Sequence, residues 1–195
     1  MHKDLIKPSI HSSFLSCEKD FETILKRLFI SNDPDSNFLK RLLIISAQDC
    51  IDPSSSNNER YKQIVENFSL HDLREKGYIK LEPKIKMGEH EEVKTYIIIS
   101  FDNFAPNGEN PEFRDCIINF DILCHTDYWD IGDYKLRPLK IAGYIDGFLN
   151  KSKLSGIGQV NLIGCNQLVL NEYLSGYTLS YSAIHGTDDI IPVKE

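Results

Sequence analysis

Apolar positions recur every three or four residues through the first third of the chain and every second residue through much of the remainder. From Glu18 to Ile30, Phe21, Ile24, Leu25, Leu28 and Phe29 fall on one side of a helical repeat, which predicts an amphipathic helix. Asn32-Asp33-Pro34-Asp35 closes it, because proline disfavours a helical residue before it and Asn and Asp supply turn chemistry. A second helix is predicted from Asp35 to Ala47 on Phe38, Leu39, Leu42, Leu43 and Ile45. The Ser- and Asn-rich stretch 52–58 reads either as a flexible loop or as the entry to a third, weaker helix through Tyr61, Ile64, Val65 and Phe68.

From Gly77 the period is two. Tyr78, Ile79, Leu81 and Ile85, interrupted by Pro83, predict a first strand, and Glu92 to Phe101, rich in β-branched and aromatic residues, predicts a second. The two are expected to form a hairpin across Met87-Gly88-Glu89-His90. Residues 104–111, with Pro106, Asn107, Gly108, Asn110 and Pro111, read as an exposed loop suited to function. Asp115 to His125 shows the clearest alternation. Ile118, Phe120, Ile122 and Cys124 share one face, and Ile117, Asn119, Asp121, Leu123 and His125 share the other. A short loop containing Tyr128, Trp129, Asp130 and Gly132 leads to Arg137-Pro138, where proline suits a helix start. The helix runs on Leu139, Ile141, Ala142, Ile145, Phe148 and Leu149 to about Asn150. Gly156-Ile157-Gly158 then opens strands at 159–171 and 177–184, and 186–195 is a tail with few apolar anchors.

Strands that are neighbours in sequence usually pair, so this order predicts an α+β fold, a mostly antiparallel sheet backed by helices. The chain, 1–195, is expected to be a single domain: a helical N-terminal portion at 1–76, a sheet with one packed helix at 77–185, and the tail at 186–195.

Composition narrows the function. With 41% hydrophobic and 26% charged residues the chain can bury a real core. A net charge of −7 argues against a nucleic-acid-binding surface, which needs clustered Lys and Arg. It would suit a surface that DNA must pass without sticking. Five cysteines, Cys17, Cys50, Cys116, Cys124 and Cys165, are spread widely with no CxxC pair, and are expected as reduced thiols. The N-terminus lacks the apolar run of a signal peptide, and no stretch is long and apolar enough for a membrane span.

Candidate chemistry is thin. Gly156-Ile157-Gly158 lacks the third glycine of a dinucleotide fingerprint, and no Walker sequence occurs. Asp127, Asp130 and Asp133 lack the alternate spacing and closing glutamate of a calcium loop. Cys124 and His125, adjacent on a strand, point to opposite faces and cannot form a nucleophile–base pair. No metal, no cofactor and no enzymatic activity are expected. Glu89-His90-Glu91-Glu92 reads as a charged turn. Tyr128 and Trp129 are candidates for an interface, since both residue types are enriched there, although a lone loop Trp more often plugs a core. Truncating Trp129 is accordingly expected to weaken a subunit contact more than the fold.

The second half resembles the tail terminator, or tail completion, proteins of long-tailed bacteriophages and the related neck proteins. The resemblance is carried by 113–125 (Phe-Arg-Asp-Cys-Ile-Ile-Asn-Phe-Asp-Ile-Leu-Cys-His), by Tyr128-Trp129-Asp130, by Arg137-Pro138 with the helix through Ile141, Ile145 and Leu149, and by 171–181 feeding a last strand. It spans about residues 92–190. It implies a structural protein of the virion tail or neck, made in the host cytoplasm. The subunits would form a ring, usually of six, that caps the head-proximal end of the tail tube and joins it to the neck or head-tail connector, with DNA only as passing cargo. The contact residues it points to are Phe104, Asn107 and Glu109 in the exposed loop, Tyr128, Trp129 and Asp130, Arg137, and His185 and Asp188 at the tail. Another neck component, a monomeric adaptor, or a small ligand-binding or enzyme domain are the alternatives.

Overall fold

A computed structural model describes residues 17–30, 33–81, 93–108, 114–154 and 158–185. Four helices come first: α1 (Cys17–Phe29), α2 (Pro34–Ile44), α3 (Asn58–Glu66) and α4 (Leu70–Glu75). The turn chemistry at 32–35 does more than end α1. Asp33 caps α2 by accepting the Asp35 N–H at 3.0 Å, and Pro34 occupies the first helical position, where no N–H is needed. The third predicted helix is two. It breaks after Glu66, and Ser69 and Asp72 form a capping box that starts α4 afresh.

The strands are β1 (Ile79–Lys80), β2 (Thr95–Pro106), β3 (Arg114–His125), β4 (Lys153–Leu154), β5 (Gly158–Gln159), β6 (Asn161–Val169) and β7 (Leu174–His185), with α5 (Arg137–Leu149) between β3 and β4. The main sheet runs β1-β2-β3-β7-β6, and β4 and β5 form a small separate pair. All pairings in the main sheet are antiparallel except β1 with β2. The α+β class is as the sequence predicts.

Three local expectations are corrected. The first two strands do not make a hairpin, because Ile79 and Lys80 lie parallel to Ile97 and Ile98. A parallel pair needs a crossover of a dozen or so residues, and the chain between Lys80 and Thr95 has that length. The proposed hairpin tip, 87–90, lies outside the described residues. Phe104 to Pro106 belong to β2 rather than to a loop, because β2 continues past an irregularity at Asp102–Ala105 to pair Ala105 with Asp115 and Pro106 with Arg114. The strand read at 159–171 is divided: Gly158 and Gln159 pair with β4, and β6 pairs with β7.

Helices cover one face of the sheet. Ile24, Leu28, Leu39, Leu42, Ile141 and Ile145 pack with Ile97, Ile99, Ile118, Phe120, Ile122, Leu179 and Tyr181 in one buried cluster. The alternation read on β3 holds: Cys116, Ile118, Phe120, Ile122 and Cys124 face the helices. Among the described residues, the opposite face has a small apolar cluster of Tyr96, Ile98, Leu123 and Leu174, with Leu168 beside it.

The joint between layers is a buried cation. Arg137 is 1% exposed, and its five N–H groups are spent on carbonyls. Nη1 donates to Leu42 and Ile45 at 2.7 and 2.8 Å, Nη2 to Ser46 and Ala47 at 3.1 Å each, and Nε to Tyr128 at 2.8 Å. These carbonyls include the orphan acceptors at the C-terminal end of α2, the negative end of its dipole. The flat fork of Arg satisfies them in a way that a lysine cannot.

Candidate functional site

The sheet leaves two surfaces open, one edge and one face. β6 is the terminal strand on one side, and among the described strands it pairs only with β7. Its nine residues, Asn-Leu-Ile-Gly-Cys-Asn-Gln-Leu-Val, carry no charge and no proline. Most are exposed, including Ile163 at 57% and Val169 at 65%. Its exposed positions fall on both faces of the sheet. Proteins normally guard such an edge with lysines, proline or a cover, because its unpaired N–H and C=O groups template another strand.

The open face continues from β6 across the sheet. Thr178 donates to Asp121 Oδ1 at 2.6 Å, and Ser180 donates to Asn119 Oδ1 at 2.7 Å. These cross-strand bonds hold hydroxyl, amide and carboxylate groups in a fixed row across β3 and β7. The lysines of this face gather at its far margin, where Lys80 and Lys94 lie over the Tyr96 ring.

The residues singled out from the sequence divide between the two ends of the sheet. At the end where β3 runs out, Arg137 donates its backbone N–H to Trp129 O at 2.7 Å and its Nε to Tyr128 O, so Tyr128, Trp129 and Arg137 form one unit. The Trp129 indole N–H is shared between Cys124 O at 3.3 Å and Ser175 O at 3.2 Å, which ties β3 to the start of β7. The Trp is thus bonded within the chain, and Arg137 is buried. Asp130 is exposed, and its carboxylate accepts the Gly132 N–H at 2.8 Å. Next to it, Asp133 and Tyr134 both hold positive φ, 47° and 61°, and Tyr134 is fully exposed. Nothing in the sequence pattern marks this tip.

Toward the other end, Phe104 is half-buried against Phe101 at 6.1 Å, and Asn107 donates to Asp115 Oδ1 at 2.7 Å. His185 is the last residue of β7 and pairs with Arg114. Glu109 and Asp188 lie outside the described residues. An open groove of about 590 Å³ lies at this end, lined by Asn103, Asp115, Cys116, Gln159, Asn161 and Ser182 among others. Burial pushes the Cys116 thiol up to about 12, so it is a thiol at neutral pH. Cys124 is pushed up to about 12 for the same reason. His125, on the opposite face from Cys124, accepts the Asp127 N–H on Nδ1 at 3.3 Å and stacks near Tyr173 at 6.0 Å.

The sequence signal for β6 is present but of an unusual kind. It is an absence of gatekeepers in a strand, which identifies an edge only once the strand order is known.

Among the described residues, fold and surface together define an α+β protein with one face of its sheet covered, the other open and one long edge unguarded. The YomW family model matches residues 32–183, and the chain belongs to the YomW family. This is a phage-derived, SPBc2 prophage-like family, so the chain is a phage-related protein. The match runs from the cap of α2 to β7 and takes in the helical portion as well as the sheet. Neither the curated proteins nor the solved structures contain a match to the chain. No described helix is long and apolar enough to cross a membrane.

Proposed function

We propose that this chain is a structural protein of the phage particle, a tail terminator that closes the head-proximal end of the tail tube and joins it to the neck or head. The observation that carries this reading is β6, a long, uncharged edge strand exposed on both faces. In a protein that acts alone such an edge is a liability. In one that assembles, it is the surface through which another chain adds a strand. The phage-derived family gives the setting. The open face supports the same reading, since a row of hydroxyl, amide and carboxylate groups, with Lys80 and Lys94 at its margin, gives passing DNA little to bind. The partners are then further copies of the chain in a ring of about six, the tube protein and a connector protein, with no cofactor and no catalysis.

An enzymatic reading has less to stand on. The groove at the far end of the sheet offers one carboxylate, Asp115, already engaged by Asn107, and one thiol held protonated by burial.

The test is to add the purified chain to isolated tail tubes of its phage and image them in negative stain. Ring-shaped density at one end only, with tube growth stopped there, is the expected result. Tubes that remain bare at both ends at saturating protein would overturn the terminator assignment.

A further inference from the structure

The outer edge of β6 opens only after its first residues. Asn150 Oδ1 accepts the Leu162 N–H at 3.2 Å, and Val160 is bonded to residues 151 and 152. The run with no described strand on its outer side is therefore 163–169, and its midpoint is Asn166. Laying this run antiparallel on a copy of itself about Asn166 sets Gly164 opposite Leu168 and Cys165 opposite Gln167 of the second copy, and brings Val169 to Ile163, the residue at the register shift between Leu162 and Gly164. Directly opposed side chains share a face, with Cβ atoms about 5 Å apart. The two most exposed apolar residues of the strand would thus cover each other, and the symmetry does this twice.

Charge favours the same occupant. The chain carries −7, so most approaches between two copies are repulsive, whereas β6 brings no charge to the contact. β1, the described strand at the opposite edge, is two residues long and pairs only with Ile97 and Ile98, a shorter partner than β6 offers itself.

We propose that β6 of one copy pairs antiparallel with β6 of a second copy about a two-fold axis at Asn166, and that this pair is the form in which the free chain holds its assembly edge. A two-fold pair has no polar direction and so is not the contact of a terminator ring. It keeps the edge satisfied until a strand in the particle replaces the second copy. The inference rests on reading β6 as an assembly edge. Its test uses no tail tubes, so a failure here leaves the capping result standing, and a failure to cap leaves this one standing.

The experiment is a light-scattering concentration series on the full chain, with circular dichroism and melting as controls for folding. Wild type, Asn166→Lys, Asn166→Asp and an equimolar mixture of the two variants are compared. Wild type is expected as a dimer. Each variant alone sets like charges across the axis and raises the dimer dissociation constant about tenfold or more. The mixture, with opposite charges facing, recovers the dimer. A second set, Ile163→Asp with Val169→Lys, checks the register in the same way, each alone weakening the pair and the two together restoring it. A wild type that stays monomeric, a dimer untouched by either charge at Asn166, or a lack of recovery in either mixture would overturn the proposal.

Discussion

The two edges of the sheet are built on opposite principles. The β1 edge is two residues long and dressed with cations: Lys80 lies 5.4 Å from the Tyr96 ring, and Lys94 lies 4.6 Å from the Tyr78 ring. Lys94 also donates to the Lys76 carbonyl, fastening the edge to the end of α4. The β6 edge is nine residues long and has no charge at all. A short, lysine-covered edge is closed to further strands, and a long neutral one is not. Among the described strands, one side of the sheet therefore ends in a short, lysine-covered strand, the finished side, and the other in a long neutral one, the unfinished side, where association is to be sought.

The comparison is broken most forcefully through the supports of each side. Ile45 and Ser46, whose carbonyls Arg137 holds, lie beside Tyr78, Lys94 and Thr95, so Arg137 underlies the finished edge. Arg137→Ala leaves the Leu42, Ile45, Ser46 and Ala47 carbonyls short of a donor and is expected to cost about 4 kcal/mol in urea unfolding. Hydrogen exchange should accelerate first at β1 and the end of α2. Arg137→Lys should recover only a minor part, since the fork is lost. Gly176 supports the other side. A Cβ there would run into the Ile122 carbonyl across the β3–β7 ladder. Gly176→Ala is expected to cost about 3 kcal/mol, with exchange accelerated in β7 and β6 and little changed at β1. If both variants loosened the same amides, the two sides would not be separable.

Smaller changes sharpen the contrast. Trp129→Phe keeps an aromatic ring of smaller size but removes the N–H shared by the Cys124 and Ser175 carbonyls, at about 1–2 kcal/mol, and this loss should appear in the dilute chain. Stability lost only on assembly would return the Trp to the role of a contact residue. Lys80→Thr should cost less than about 1 kcal/mol, as for an exposed cation over a ring, yet raise the tendency to aggregate by uncovering the finished edge. The smallest effect is one of pH. The Ser55 and Tyr61 hydroxyls hold the Asp49 carboxyl below its ordinary value of 3.8. A folded-state pKa below the unfolded one gives stability that is present at neutral pH and lost as pH falls through the folded value. The difference between wild type and Tyr61→Phe in a denaturation series should therefore be largest near neutrality and shrink below about pH 4. Neither Asp49 nor Tyr61 belongs to β6, so any dimer should be indifferent to this change.

The helices and long strands were legible because each buries one face, and burial imposes a period on the sequence. Phe21, Ile24, Leu25 and Leu28 in α1, and Ile118, Phe120 and Ile122 in β3, could hardly be read otherwise. The start of α4 was also written out, in Ser69 and Asp72, but it was hidden by the apolar run leading to Phe68. The parallel set of β1 was not legible, because a period of two is the same for either strand direction. Nor was the role of Arg137. Four of its five partners are main-chain carbonyls ninety or more residues earlier, and carbonyls leave no mark in a sequence. Tyr134 gave no signal because a positive φ at a tyrosine is set by the loop around it rather than by its own preference.

By itself, the sequence determined which residues are apolar on which face, and hence the α+β class, the helix-covered side of the sheet and the absence of charge in 161–169. Only the tertiary structure decided that this uncharged strand lies at an edge, that the other edge is short and guarded, and that Trp129 and Arg137 are bonded within their own subunit. The physical reason is the range of the interactions. Periodicity records burial, which each residue reports for itself, whereas strand order and long-range hydrogen bonds depend on distant segments meeting.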